Sequence, residues 1–245
     1  MQKPEEARCV EGKNASERIL PTSDLFASCP NDGGILEYYA GTFEAVFVQL
    51  HPFLKTEPAS ADRSGQATNA SHYEVSGTDA AVSWAEVAFL TGLPSLSAID
   101  IGLRTMIGGL RAELANREFA ETIGRLAESQ HISPPSEGFF SPLLYQQTLS
   151  AIQALGYEWV WVGDEFCTER KLHWIEDLKI RETDVLWGPC NIFTPDKALL
   201  WTTHWDSHFS LLCSSKNLLD RIEDSYHFEG FFCTPSTEIY WSLHS

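Results

Sequence analysis

The chain has few basic residues and no long apolar run. Seventeen lysines and arginines stand against 34 aspartates and glutamates, so the formal net charge is −17 at pH 7. A field of this sign repels phosphate backbones, so we expect no nucleic-acid partner, and it favours a basic protein partner instead. No run of about 18 apolar residues is present, and no signal-peptide core follows Met1. We therefore expect a cytoplasmic protein with no membrane partner.

Cysteine is sparse and shows no paired spacing. The six cysteines include no Cys-x-x-Cys pair and are too few for a disulfide scaffold. Cys190, Cys213 and Cys233 lie in apolar, strand-like runs, where a reduced cysteine acts as a small hydrophobic residue. The alternative is that these three thiolates bind a metal ion.

The motifs that would assign a reaction are also missing. The sequence contains no Gly-x-Ser-x-Gly nucleophile elbow, no P-loop and no Rossmann Gly-x-Gly-x-x-Gly. Cys213 and His208 lie on one predicted strand and point to opposite faces, so they do not form a nucleophile–base pair. No catalytic residue and no cofactor is predicted.

Helical spacing dominates the first half of the chain. Residues 1–34 are charged and weakly patterned, which predicts an irregular arm. Apolar residues at steps of three and four predict a helix from Ile35 to Leu50. Residues 56–77 predict a loop because Ala, Ser, Gly and Asn dominate there. Caps, breakers and apolar spacing predict four more helices, over 84–91, 97–110, 116–129 and 142–156.

Strand patterns dominate the second half. Tyr157–Val162 is rich in β-branched and aromatic residues, and a helix is predicted over 168–178. Three more strands are predicted over 191–194, 198–203 and 208–213, then a helix over 216–224. Phe228–Cys233 and Glu238–Trp241 are predicted to form a final hairpin. Short turns between these strands indicate an antiparallel sheet.

The predicted fold class is α+β, with a mainly helical N-terminal half packed on a C-terminal antiparallel sheet. The predicted domain boundary separates the arm over 1–34 from a single domain over 35–245. Within that domain, residues 35–156 are predicted to be helical and residues 157–245 sheet-rich.

The run His204-Trp205-Asp206-Ser207-His208 is the most informative group of polar side chains. In one continuous strand, His204, Asp206 and His208 would share a face and form a ligand set for zinc or a similar ion. Alternatively, Asp206 and Ser207 make a turn, and the two histidines separate across a hairpin with Trp205 at its tip. The turn chemistry favours the hairpin. An exposed tryptophan in a polar rim is typical of an interface anchor.

Two other features bear on function. Asp164 and Glu165 follow the strand over 157–162, where carboxylates serve as acid and base, hold a cation or are simply solvated. Six of the eight tryptophans lie between Trp159 and Trp205. Trp201 lies in an apolar strand and suits a core, whereas Trp205 lies on the predicted turn.

The segment from Ser83 to Trp241 is similar to a family of uncharacterised bacterial proteins, mostly from Gram-positive soil species. The similarity lies in SWAEVAFLTGLPS, EWVWVGDEF, LWGPCNIFTPDKALLWTTHWDSHFSLLCSS and FEGFFCTPSTEIYW. It carries over no catalytic residues. The order of the last elements also resembles the architecture of bacterial immunity proteins that neutralise toxins. That second resemblance implies a protein partner, although architecture alone does not assign a function.

The sequence therefore predicts a non-enzymatic binding protein, immunity-like in its narrower form, that engages a protein partner through an acidic and aromatic surface. The predicted binding residues are Trp201, His204, Trp205, Asp206, His208, Asp164 and Glu165. The alternative is a metal-dependent hydrolase that uses His204, Asp206 and His208. A third interpretation is a structural or assembly protein.

Overall fold

The computed structural model describes residues 28–56, 80–180 and 190–244. Seven helices lie in these ranges: α1 (Ile35–Tyr38), α2 (Trp84–Thr91), α3 (Leu96–Ile107), α4 (Arg117–Gln130), α5 (Pro142–Ala154), α6 (Ile175–Lys179) and α7 (Lys216–Tyr226). Ten strands lie there as well: β1 (Ala45–Leu50), β2 (Phe53–Lys55), β3 (Ala80–Val82), β4 (Ile132–Ser133), β5 (Trp159–Asp164), β6 (Arg170–Trp174), β7 (Cys190–Phe193), β8 (Leu200–Thr203), β9 (Phe209–Ser214) and β10 (Gly230–Phe232). Residues 1–27 of the predicted arm and 57–77 of the predicted loop lie outside the described residues.

Seven of the strands form one antiparallel sheet that contains a strand from the N-terminal half. The strand order is β10-β1-β9-β8-β7-β5-β6. Val48 of β1 lies opposite Leu211 of β9 on one side and Phe231 of β10 on the other. A second antiparallel sheet has the order β3-β2-β4.

The predicted fold class, with a mainly helical N-terminal half packed on a C-terminal antiparallel sheet, is wrong. Strands β1 to β4 precede residue 157, and helices α6 and α7 follow it, so both kinds of element occur along the whole described chain. The division into a helical part over 35–156 and a sheet-rich part over 157–245 fails for the same reason. The predicted boundary at residue 34 stays a prediction.

β1 lies where the sequence predicts the second half of a helix. Only Ile35–Tyr38 is helical, and the chain is extended from Ala45 to Leu50. Val48 belongs to the core on one face of the sheet, and its neighbour Phe47 belongs to the core on the other. A strand that is buried on both faces has a continuous apolar run, and such a run also fits helical spacing.

Helices cover both faces of the main sheet. On one face, Val48 and Leu211 pack in a core with side chains of α1 to α4. On the other face, Phe47, Trp201 and Leu212 pack in a core with side chains of α5, α6 and α7. The described part of the chain is thus a mixed fold in which the sheet lies between two helical layers.

Most of the predicted helices are confirmed to within a few residues, namely α2, α3, α4, α5 and α7. The serine half of the predicted capping box at α2 is confirmed, because the Glu86 amide donates to Ser83 Oγ at 3.0 Å. A long-range contact adds to it, because the Glu229 carboxylate accepts from the amides of Trp84 and Ala85 at 2.7 and 2.8 Å. Negative charge at a helix N-terminus is stabilising.

Two predictions in the second half are wrong. The predicted helix over 168–178 is strand β6 followed by the short α6, because Leu172 and Trp174 pair across strands with Trp161 and Trp159. The final hairpin does not form, because β10 pairs with β1 instead. In place of a strand, Glu238 forms an isolated antiparallel β-bridge with Gly34, and residues 241–243 form a single 3₁₀ turn.

Within the described ranges, no single helix is long and apolar enough to cross a membrane. The bent pair of α2 and α3, with 88° between the two helices, passes the same test of length and composition only when taken together. Both helices contribute side chains to the protein core, among them Trp84 and Ile99.

Candidate functional site

The residues from His204 to His208 form a tight turn between β8 and β9. The Ser207 amide donates to the His204 carbonyl oxygen at 3.1 Å, and the Asp206 amide donates to His204 Nδ1 at 3.2 Å. Trp205, at the tip of the turn, is 52% exposed. The predicted reversal of the chain between the two histidines is confirmed.

His204 is buried under this turn and is held in one tautomer. Its Nε2 lies 2.9 Å from the Asn31 carbonyl oxygen, which can only accept, so Nε2 carries the proton. Nδ1 is then the acceptor for the Asp206 amide. Burial, with a smaller contribution from the Arg104 charge, lowers the pKa of His204 to about 4. The imidazole is therefore neutral at pH 7 and serves to fix the turn.

His208 points into a different part of the protein. Its Nδ1 donates to the Pro135 carbonyl oxygen at 2.9 Å, and burial lowers its pKa to about 4. His51 lies opposite across the strands and donates its amide to the His208 carbonyl oxygen at 3.0 Å. Among the described residues, His208 Nε2 and both ring nitrogens of His51 have no hydrogen-bond partner.

The three predicted metal ligands do not converge. His204 is hydrogen-bonded to the Asn31 carbonyl oxygen and His208 to the Pro135 carbonyl oxygen, so each imidazole has its own separate partner. Over residues 28–56, 80–180 and 190–244, no group of three or more His, Cys, Asp or Glu side chains is arranged to hold a metal ion. The geometry therefore does not support a metal site formed by His204, Asp206 and His208. It does not support one formed by the thiolates of Cys190, Cys213 and Cys233 either.

A buried ion pair is hydrogen-bonded to the turn between β8 and β9. Arg104 Nε lies 2.9 Å from Asp100 Oδ2, and both side chains are fully buried. The Arg104 guanidinium also donates to the Asp206 carbonyl oxygen at 3.0 Å, to Ser207 Oγ at 2.8 Å and to the Ile239 carbonyl oxygen at 3.0 Å. The sequence pattern does not predict this pair. Its only local signal is a carboxylate four residues before an arginine in the apolar helix α3.

A pocket of about 210 Å³ opens beside the turn. The residues that line it come from the segment before α1, from α1 itself, from the β5–β6 turn, from the end of β8 and from the turn that follows β8. They are Ser28, Cys29, Asn31, Tyr38, Glu165, Phe166, Thr203, His204 and Trp205. Phe166 and Trp205 are 56% and 52% exposed, so two aromatic side chains flank the opening. The pocket brings together three of the predicted binding residues, Glu165, His204 and Trp205.

The other four predicted binding residues do not line this pocket. The Asp164 carboxylate accepts from the amides of Thr168 and Glu169 at 2.7 and 3.2 Å, so it closes the β5–β6 turn. Trp201 is buried in the core on the far face of the sheet, where its ring stacks on Phe140 with 3.9 Å between ring centroids. His208 is buried as described above. The Asp206 carbonyl oxygen accepts a hydrogen bond from Arg104, and burial raises the pKa of the Asp206 carboxyl group.

Among the described residues that line the pocket, Glu165 is the one with an acidic side chain. The other titratable groups there are neutral at pH 7, because burial raises the pKa of the Cys29 thiol and of the Tyr38 hydroxyl and lowers that of His204. A buried thiol of this kind is a poor nucleophile. The pocket thus combines aromatic rings, neutral polar atoms and one carboxylate.

Sequence analysis missed Cys29, Tyr38 and Phe166 as parts of this site. Tyr38 falls within the predicted helix from Ile35 to Leu50, and Cys29 falls within the predicted arm over 1–34. Phe166 follows Asp164-Glu165 directly, and an apolar residue in a polar turn was the one signal that could have identified it.

The fold and the site together define a class: a mixed helix-and-sheet protein with a small, largely neutral pocket at one end of its main sheet. The chain belongs to the family described as "Protein of unknown function (DUF2711)", whose model matches residues 31–243. No curated protein and no solved structure matches the chain. The predicted membership of an uncharacterised family is confirmed.

Proposed function

We propose that this chain is a non-enzymatic binding protein that engages a protein partner through the Trp205 turn and the adjacent pocket. The observation that supports this most directly is the pair of exposed aromatic side chains, Phe166 and Trp205, at the pocket opening. Tryptophan and other large aromatic residues are enriched at the energetic centres of protein interfaces. A rigid hairpin, fixed by Arg104 and His204, presents the indole.

The charges near the turn favour a basic partner. Asp206 lies close enough to Glu137 to contribute, after burial, to the raised pKa of the Glu137 carboxyl group. The net charge of −17 adds a long-range field of the same sign. Such a field accelerates encounters with basic surfaces and is screened by salt.

The shifted pKa values near the turn support binding more than proton-transfer chemistry. His204 and His208 have pKa values lowered to about 4, and burial raises that of the Cys29 thiol. A general base is most effective when its pKa lies near the working pH. The pKa values of these groups are shifted away from pH 7, in the directions that keep the two histidines and the thiol uncharged at that pH.

The proposal is tested by affinity capture from the native host with the wild type and with the double variant Phe166→Ala/Trp205→Ala. We expect the variant to lose the captured partner because both exposed rings are removed. Phe89→Ala is the matched control, since Phe89 is an 85% exposed aromatic residue on α2, outside the pocket. If the double variant captures the same partner as strongly as the wild type, this surface is not the binding site.

The immunity-like role and the cytoplasmic location are narrower parts of the same proposal. An immunity protein must neutralise a toxin, so the captured partner would be a toxin and its co-expression with this chain would restore growth of the host. Growth that is equally poor with and without this chain would contradict the immunity role. That result would not contradict the broader proposal that the chain binds a protein partner.

The alternative that the sequence offers, a metal-dependent hydrolase using His204, Asp206 and His208, is favoured by no distance among the described residues. Elemental analysis of the purified protein tests it. Stoichiometric zinc or manganese that is lost in His204→Ala would support the hydrolase and contradict the proposed role of His204 as a clamp on the turn.

A further inference from the structure

We propose that the pocket beside Trp205 receives one basic side chain, arginine or lysine, of the partner protein. This inference rests on the proposed function and names the chemistry that the site recognises. The structure joins three aromatic residues and a single carboxylate around one small opening.

The aromatic residues suit a cation. Tyr38, Phe166 and Trp205 come from three different segments and line the same pocket. The faces of aromatic rings attract ammonium and guanidinium groups, tryptophan most strongly. Sites that recognise cationic groups commonly combine several rings in this way.

Glu165 supplies the opposite charge. Its side chain is half-buried, and no described residue forms an ion pair with its carboxylate. Its own carbonyl oxygen accepts from the Asn191 side chain at 2.9 Å, which fixes the backbone beneath the carboxylate. The fully buried cation Arg104 is already paired with Asp100. A bound cation would therefore find an acceptor that no other cation in the described chain occupies.

The size of the pocket selects a side chain over a free metabolite. Its volume of about 210 Å³ lies below the range of about 300–1,000 Å³ that is typical of small-molecule sites. A long, flexible side chain buries its aliphatic stem on apolar surface while its charged end reaches polar atoms. Cys29 and Phe166 offer that surface, and Glu165 offers the polar end.

Peptide titration tests the inference. The probes are acetyl-Gly-Gly-X-Gly-Gly-amide peptides in which X is arginine, lysine, citrulline or alanine, and binding is followed by the intrinsic tryptophan fluorescence of the full chain. We expect saturable binding of the arginine or lysine peptide and at least about tenfold weaker binding of the neutral citrulline peptide. Glu165→Gln should weaken the arginine peptide by about tenfold as well, whereas the control Glu169→Gln should not change it.

Equal binding of the arginine and citrulline peptides would overturn the inference, as would no saturable binding of either basic peptide to the folded protein. The captured partner separates this result from the proposed function. If Phe166→Ala/Trp205→Ala abolishes capture and Glu165→Gln leaves it unchanged, the surface binds a partner and the pocket takes no cation. If the double variant also captures normally, the proposed function fails as well.

Discussion

Arg104 is the side chain on which the shape of the Trp205 turn most depends. It joins α3 to the turn through the Asp206 carbonyl oxygen and Ser207 Oγ, and it neutralises the fully buried Asp100. Ser242 adds a hydrogen bond to the same carboxylate oxygen at 2.6 Å. Removing one member of a buried ion pair is costly because the other charge is left buried without a partner.

We therefore expect Arg104→Met to lower the free energy of unfolding by about 3–5 kcal/mol, measured by urea denaturation. The double variant Asp100→Leu/Arg104→Met should recover much of this loss, since it leaves no unpaired charge. Arg125→Met is the control: Arg125 is exposed on α4, and its guanidinium donates to Thr122 Oγ1. If the Arg104 and Arg125 variants unfold at the same urea concentration, the buried pair does not stabilise the fold.

The buried histidines predict a pH dependence of stability. His51 has a pKa lowered to about 3, and His204 and His208 have values lowered to about 4, in each case mainly by burial. In the unfolded chain a histidine titrates near pH 6.5, so below this pH the unfolded state binds protons that the folded state excludes. Stability is therefore full above the unfolded pKa and falls as the pH falls from about 6.5 towards 4.

The slope can reach about 1.4 kcal/mol per pH unit for each of these histidines. Urea denaturation at pH 7, 6 and 5 measures it, and this window lies above the usual titration range of carboxylates. The variant His204→Asn should show a shallower decline than the wild type because it removes one of the three groups. A free energy of unfolding that stays constant from pH 7 to pH 5 is the contrary result.

At the scale of elements, the segment between β4 and α5 is hydrogen-bonded to the turn between β8 and β9. The Gly138 amide donates to the Ser207 carbonyl oxygen at 3.0 Å, and Thr203 Oγ1 donates to the Gly138 carbonyl oxygen at 3.2 Å. Gly138 has a φ of 70°, in the left-handed region that favours glycine. A Cβ at this position would lie 2.6 Å from the Trp205 carbonyl oxygen, so the two backbones approach too closely for any side chain.

We expect Gly138→Ala to lower the free energy of unfolding by about 1–3 kcal/mol and to displace Trp205. Urea denaturation and the emission maximum of tryptophan fluorescence measure the two effects. Gly124→Ala in α4 is the matched control, because a Cβ there would meet no atom within 4 Å. In a helix interior that change should be stabilising by about 0.5–1 kcal/mol. Equal effects of the two substitutions would contradict the close approach at Gly138.

The elements also show which features could be predicted from the sequence. The turn at Asp206-Ser207 and the two caps of α2, Ser83 and Gly92, are encoded within a few residues, and the structure has them where they were predicted. β6 pairs with β5, its neighbour in sequence, and was missed because Leu172, Ile175 and Leu178 have helical spacing. β1 was missed because its partners are distant: it pairs with β9 and β10, more than 150 residues further along the chain. The pocket escaped prediction for the same reason, since it joins segments around Tyr38, Glu165 and Trp205.

At the scale of the whole molecule, the main sheet is completed by its N-terminal strand. β1 separates β10 from β9, and it is the one sheet neighbour of β10 among the described strands. Four of its six residues, Val46, Phe47, Val48 and Leu50, are buried apolar side chains. Burial of each such side chain contributes about 1.5–3 kcal/mol. Their sum is comparable to the total stability of a typical domain, about 5–15 kcal/mol.

The segment from Ser83 onwards, which carries the sequence similarity noted above, should therefore not fold alone. A chain that begins at Ser83 loses α1, β1, β2 and β3 and exposes the edge of β9, so we expect no cooperative urea transition and no near-ultraviolet circular dichroism. A chain that begins at Ser28 keeps every described element and is the control. Adding a synthetic peptide of residues 28–56 to the shorter chain should restore part of the signal, because the peptide supplies β1. Cooperative unfolding of the shorter chain without that peptide would show that the elements before Ser83, β1 among them, are dispensable for folding.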